Sequence, residues 1–124
     1  MEPKDLGKTS TGIAANVAGL LCYVLGWITG LVFFLIEKEN KFVRFHALQS
    51  IIVFGGLTVL QVALGIFTGI LSAIGLGCFV AIFPIITGLI GLLMLILWIV
   101  LMVKAYQGEL FKLPVAGDIA EKNA

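Results

Sequence analysis

Charge is absent from 28 consecutive residues between Lys8 and Glu37, and from 59 residues between Arg44 and Lys104. A helix needs about 20 apolar residues to cross the roughly 30 Å hydrocarbon core of a bilayer. The first gap therefore accommodates one span. The second accommodates two spans and a tight turn, because three spans would need about 60 residues before any connection is counted. His46 is the one residue in that second gap, cysteine apart, whose side chain ionises. Charged residues make up 12% of the 124 residues and hydrophobic ones 60%, against about 25% charged in an ordinary soluble domain. A soluble globular domain would have too little polar surface to coat itself. A disordered chain is excluded by the same apolar excess, and a nucleic-acid binder by a net charge of only +1. The expected class is all-α: a single polytopic membrane domain over residues 1–124, with the lipid bilayer as its partner.

The pattern predicts three transmembrane helices over about 12–36, 46–72 and 79–107, followed by a polar tail, 108–124. Gly75 and Gly77 supply the turn between the last two spans. Gly108, after Lys104-Ala105-Tyr106-Gln107, is the expected C-terminal stop. Pro84 either opens the third helix in its first turn or kinks a helix that starts near Phe79; the earlier start is favoured. Runs such as Leu92-Leu93-Met94-Leu95-Ile96-Leu97 lack the alternation of barrel strands. The first apolar stretch is too long for a cleaved signal h-region and is expected to stay as an anchor. With three spans, Lys4 and Lys8 share a side with the Gly75 turn, and six Lys and Arg residues share the other. The positive-inside rule then puts the N-terminus outside and the C-terminus in the cytoplasm of an inner-membrane protein.

Gly12, Gly19 and Gly26 recur every seven residues, and Gly30 completes a Gly26-x-x-x-Gly30 pair. With Gly88 and Gly91 on the third helix, these small residues are read as helix-packing positions, because close backbone approach drives association in lipid. On the second helix Thr58, Gln61 and Thr68 share a polar stripe. Gln61 must face protein or a wet cavity, since lipid offers no hydrogen-bond partner. It reads either as interhelical glue or, with both threonines, as the lining of a translocation path. The loop between the first two helices interleaves aromatic with cationic and amide groups: Phe42, Arg44, Phe45, His46 and Gln49. This pattern reads as an interfacial turn, with Phe rings in the headgroup region and Lys41 and Arg44 on phosphates. The competing reading is a partner-binding loop.

Catalytic signatures are missing. No acidic residue lies within a predicted span, so proton-coupled transport lacks its intramembrane carboxylate. Ser50 lies only four residues from His46, poor geometry for a nucleophile and its base. Cys22 and Cys78 have no metal spacing and are expected to be small buried hydrophobes. No cofactor, metal site or enzymatic activity is expected.

Phe42-Val43-Arg44-Phe45-His46-Ala47-Leu48-Gln49-Ser50, Lys104-Ala105-Tyr106-Gln107-Gly108, Phe111-Lys112-Leu113-Pro114 and Gly117-Asp118-Ile119-Ala120 resemble an uncharacterised-domain family of small prokaryotic membrane proteins. That family is grouped with the Tic-twenty subunit of the chloroplast inner-envelope import translocon. The resemblance implies a helical membrane protein related to a protein-conducting channel component. The function expected from the residues is a structural or accessory part of a membrane assembly, as a homo-oligomer or with other membrane proteins. The alternative is an oligomeric channel or protein-translocation component.

Overall fold

The computed structural model describes residues 6–124, so Lys4, counted above for orientation, lies outside the described residues. All regular structure within them is helical. The predicted first span is not one helix. It is two, α1 (Ala15–Val24) and α2 (Trp27–Ile36), of ten residues each. Ten residues rise about 15 Å, half of what a crossing needs. Between them Gly26 adopts φ 63° and ψ −134°, a conformation that residues with a Cβ rarely tolerate. The chain turns back there. The far ends of the two helices meet, because the Ser10 N–H donates to both carboxylate oxygens of Glu37 at 2.9 and 2.8 Å. The unit is a helical hairpin, with Gly26 at its tip and Ser10 and Glu37 at its base.

The second predicted helix begins five residues earlier than expected. In α3 (Lys41–Ser50) the Asn40 side chain caps the first turn, its Oδ1 accepting from Val43 N–H at 3.1 Å. A π-helical turn, Ile51–Gly55, joins α3 to α4 (Gly56–Ala73), giving one continuous helix over Lys41–Ala73. After a 3₁₀ turn at Gly77–Phe79, α5 runs Phe83–Tyr106 with Pro84 in its first turn. That corrects the expected start near Phe79: a proline is accommodated where its missing N–H would have had no intrahelical partner. The glycine stops behave as expected. Gly75 and Gly108 take φ 85° and 79°. Their neighbours Leu76 and Glu109 donate back to the Leu71 and Lys104 carbonyls at 2.8 and 3.0 Å. The tail is not simply polar coil. Its α6 (Ala116–Asn123) packs on α3 and buries Ala116, Gly117 and Ala120.

The molecule thus has two unlike halves. At one end α1, α2, α3, the C-terminal part of α5 and α6 enclose a core in which Ala18, Cys22, Tyr23, Val43, Ala47, Leu101 and Ala105 are fully buried. At the other end α4 buries no residue and pairs with the N-terminal part of α5, where the Phe67 and Phe83 rings meet edge to face. The described N-terminal residues sit at the first end: Asn40 Nδ2 donates to the Leu6 and Lys8 carbonyls at 2.7 and 3.1 Å. The described N-terminal residues and the Gly75 turn, expected together, therefore lie at opposite ends of the molecule, because a hairpin returns the chain to the end it left.

The glycine positions divide accordingly. A Cβ on Gly19 would meet Phe42 Cε1 at 2.9 Å and Ala105 Cβ at 3.4 Å; one on Gly30 would meet the Ala47 carbonyl oxygen and Ser50 Cβ, both at 2.9 Å. These two are the close contacts. Gly12, at φ 79°, and Gly26 lie outside the helices; Gly88 has open space, and Gly91 touches only Gln61 Nε2 at 4.0 Å. The seven-residue stripe is not one helix face. Gly30→Ala is expected to lower stability in mild detergent by about 1–3 kcal/mol through overpacking. Gly88→Ala should be neutral or stabilising by up to about 1 kcal/mol. Parallel thermal unfolding of the two variants checks this.

Candidate functional site

A helix that breaks inside an apolar region strands backbone carbonyls, and hydrocarbon offers them nothing. The hairpin tip resolves this with side chains from three elements. Thr29 Oγ1, on α2, accepts from Leu25 N–H at 3.1 Å and lies 3.2 Å from the Cys22 carbonyl, to which it donates. Trp98 Nε1, on α5, donates to the Tyr23 carbonyl at 2.6 Å. Ser50 Oγ, on α3, donates to the Gly26 carbonyl at 2.8 Å. The π turn follows Ser50 and delivers Phe54 onto Gly26 and edge-on to Tyr23.

Beneath the tip lies a buried polar chain. The Tyr23 hydroxyl is 2.7 Å from His46 Nδ1, and His46 Nε2 is 2.9 Å from the Glu109 carbonyl. A carbonyl can only accept, so Nε2 carries the proton and Nδ1 accepts from the tyrosine. Gln49 Nε2 donates to the same hydroxyl at 3.1 Å and to the Phe111 carbonyl at 2.9 Å, while its Oε1 accepts from Leu113 N–H at 3.0 Å. Every donor has an acceptor, and no buried side-chain polar atom among the described residues lacks a partner. His46 and Gln49 thereby hold residues 109–113 against α3.

The aromatic–cationic segment is consequently not an interfacial turn. Phe42, Phe45, His46 and Gln49 are buried, and the Phe42 and Phe45 rings pack edge-on against His46. Arg44 points the other way, and its Nη1 donates to the Phe34 and Glu37 carbonyls at 3.2 and 2.8 Å, closing the end of α2. Its guanidinium also lies over the Phe34 ring at 4.3 Å. The pattern reads as interfacial in sequence because its partners are 7 to 80 residues away. Of the polar positions on α4, Thr58 and Thr68 donate to their own helix, at the Phe54 and Leu64 carbonyls. Gln61 donates across to the Thr87 carbonyl of α5 at 3.0 Å, the glue reading. Cys22 is buried as expected; Cys78, expected to be buried as well, is instead exposed at the far turn.

Glu37, the charge that closes the first apolar gap, is fully buried at this end. Burial alone would raise its pKa. The Ser10 side chain and the N–H groups of Ser10, Asn40 and Glu39 outweigh that and hold the carboxyl below its ordinary value. Among the described residues no group of three or more His, Cys, Asp or Glu side chains is gathered to hold a metal.

Residues 8–120 match the magnetosome magnetite crystal formation protein family. A UPF0132 membrane protein of Methanocaldococcus jannaschii is 53% identical over 117 residues, covering 94% of each chain. A second from that organism is 47% identical over 111 residues, 90% of this chain and 71% of the relative. One from Archaeoglobus fulgidus is 50% identical over 107 residues, 86% of this chain and 92% of the relative. No solved structure matches. These matches overturn the resemblance to the Tic-twenty import subunit: the motifs that suggested it belong to this other family, and nothing ties the chain to a translocon.

Two outcomes follow from the site. Gln49→Leu strips partners from the Phe111 carbonyl and the Leu113 N–H, at about 1–3 kcal/mol for each buried group. Limited proteolysis should then cut between residues 107 and 116 much faster than in the parent. Glu37 has a lowered folded pKa, so its stabilisation is present above the unfolded value of about 4.3 and fades as pH falls through the folded value. Melting temperature measured against pH should fall in that acid range, and Glu37→Gln should be less stable at neutral pH with a flatter acid limb.

Proposed function

We propose that this chain, which belongs to the magnetosome magnetite crystal formation protein family, serves as a non-enzymatic structural or accessory component of a membrane. The carrying observation is that its chemically versatile side chains are spent on the fold. Tyr23, His46, Gln49, Ser50, Arg44 and Glu37 each hold backbone or one another in place. Its relatives are named membrane proteins, and two of its helical stretches, Lys41–Ala73 and Gly77–Tyr106 (α5 with the 3₁₀ turn before it), are long and apolar enough to cross a bilayer. Its partners in this role are further copies of itself or other membrane proteins.

In this reading α3–α4 and α5 cross the bilayer, and the α1–α2 hairpin enters from one side and returns to it. The hairpin's outward face supports immersion: Leu25 at the tip is 64% exposed, and Ile28, Leu31, Val32, Leu35 and Ile36 continue that apolar surface to the base. Seven of the eight Lys and Arg residues, Lys8, Lys38, Lys41, Arg44, Lys104, Lys112 and Lys122, belong to the hairpin end; the eighth is Lys4. The Gly75 turn has none. By the positive-inside rule both ends of the chain face the cytoplasm of the cell membrane.

A membrane-impermeant maleimide tests the topology. Cys78 should react only from the outer side of cells. Lys8→Cys, in a Cys78→Ser background, should react only after the cytoplasmic side is opened; labelling of both from one side refutes the arrangement. Native membranes dissolved in mild detergent should yield the chain in a complex larger than its monomer, and a lone monomer refutes the assembly role.

A further inference from the structure

We propose that this protein is a leaflet-asymmetric wedge whose partner is the bilayer itself, and that it favours membranes convex on its hairpin side. The inference rests on the topology proposed above and goes beyond it. At the hairpin end four helical sections lie side by side, α1, α2, α3 and the C-terminal part of α5, packed through Gly19, Gly30 and Ala105. At the other end only α4 and the N-terminal part of α5 run together, joined by Gln61–Thr87 and Phe67–Phe83. The hairpin stops where Gly26 meets Ser50 and Phe54, and its helices are about 15 Å long, the depth of one leaflet. Two additional helices, each about 10–12 Å across with side chains, add about 200 Å² to one leaflet and nothing to the other.

The hairpin is fixed rather than loosely inserted. Glu37 and Ser10 close its base, Arg44 ties α2 to α3, and Trp98 and Ser50 lock its tip. A rigid wedge cannot relieve the mismatch by collapsing, so the lipids must. Cost is lowest where the broad leaflet is already expanded, as in the outer leaflet of a small vesicle. Partition of apolar elements into one leaflet is curvature-sensitive for this reason.

The test uses the full-length protein reconstituted into neutral phosphatidylcholine vesicles, which removes steering by charge. Small sonicated and large extruded vesicles are compared. The fraction of Cys78 labelled from outside by an impermeant maleimide reports orientation, since Cys78 is exposed at the narrow end and Cys22 is buried. In small vesicles the broad end should face outward, so external labelling of Cys78 should fall severalfold relative to large vesicles. Lys8→Cys, in the Cys78→Ser background, should rise correspondingly. Complementary labelling that ignores vesicle size overturns the wedge and leaves the topology standing. If both sites rise and fall together, the topology is wrong and the wedge falls with it. A mixture of the two vesicle sizes adds an orientation-free readout: equal protein per lipid in both overturns the proposal, and enrichment in the small vesicles supports it.

Discussion

Backbone carbonyls at the hairpin tip decide this structure. A chain that breaks a helix among apolar residues must satisfy the groups it uncovers, and each one left bare away from water costs several kcal/mol. Thr29, Trp98 and Ser50 supply the donors for Cys22, Tyr23 and Gly26. They come from three helices, so the turn exists only once α2, α3 and α5 are assembled around it. The same assembly draws Tyr23 onto His46 and buries Phe42 and Phe45 behind it. Tip, core and tail are one cooperative unit, and the α4–α5 pair projects from it with a single polar crosslink at Gln61.

This division explains why the polar residues are spread so unevenly. Glu37, Asn40, His46, Gln49 and Ser50 are all buried, and all lie in the hairpin end. Lipid tolerates irregular backbone only where protein covers it, and the hairpin needs such cover at its tip, base and tail clamp. The far half is plain helix, whose backbone satisfies itself, and it needs almost no polar side chain.

Much of the architecture was legible from charge and glycine. Two charge-free gaps marked the apolar elements, Gly75 and Gly108 marked helix ends, and Gly19 and Gly30 marked close approaches. Gln61 announced an interhelical bond because an amide in lipid needs one. The segment around Phe42 to Gln49 was visible as unusual and was given the wrong environment. Aromatic and cationic residues interleave at a membrane surface and around a buried histidine alike. What separates the cases is whether Tyr23, Glu109 and Phe111 arrive from elsewhere in the chain, and spacing along the chain does not carry that.

The sequence by itself determined that the chain is helical, that it belongs in a bilayer and where its apolar segments begin and end, because hydropathy and charge depend only on residue type. Whether residues 12–36 form one straight helix or a hairpin was decided by the tertiary structure. A straight helix and a hairpin bury the same apolar residues. Gly26-x-x-x-Gly30 fits either, since the pair permits close packing in one and frees the backbone in the other. The choice rests on the Ser10–Glu37 clasp and on donors from Ser50 and Trp98. With it come the end of the molecule at which Leu6 and Lys8 lie and the unequal width of the two halves.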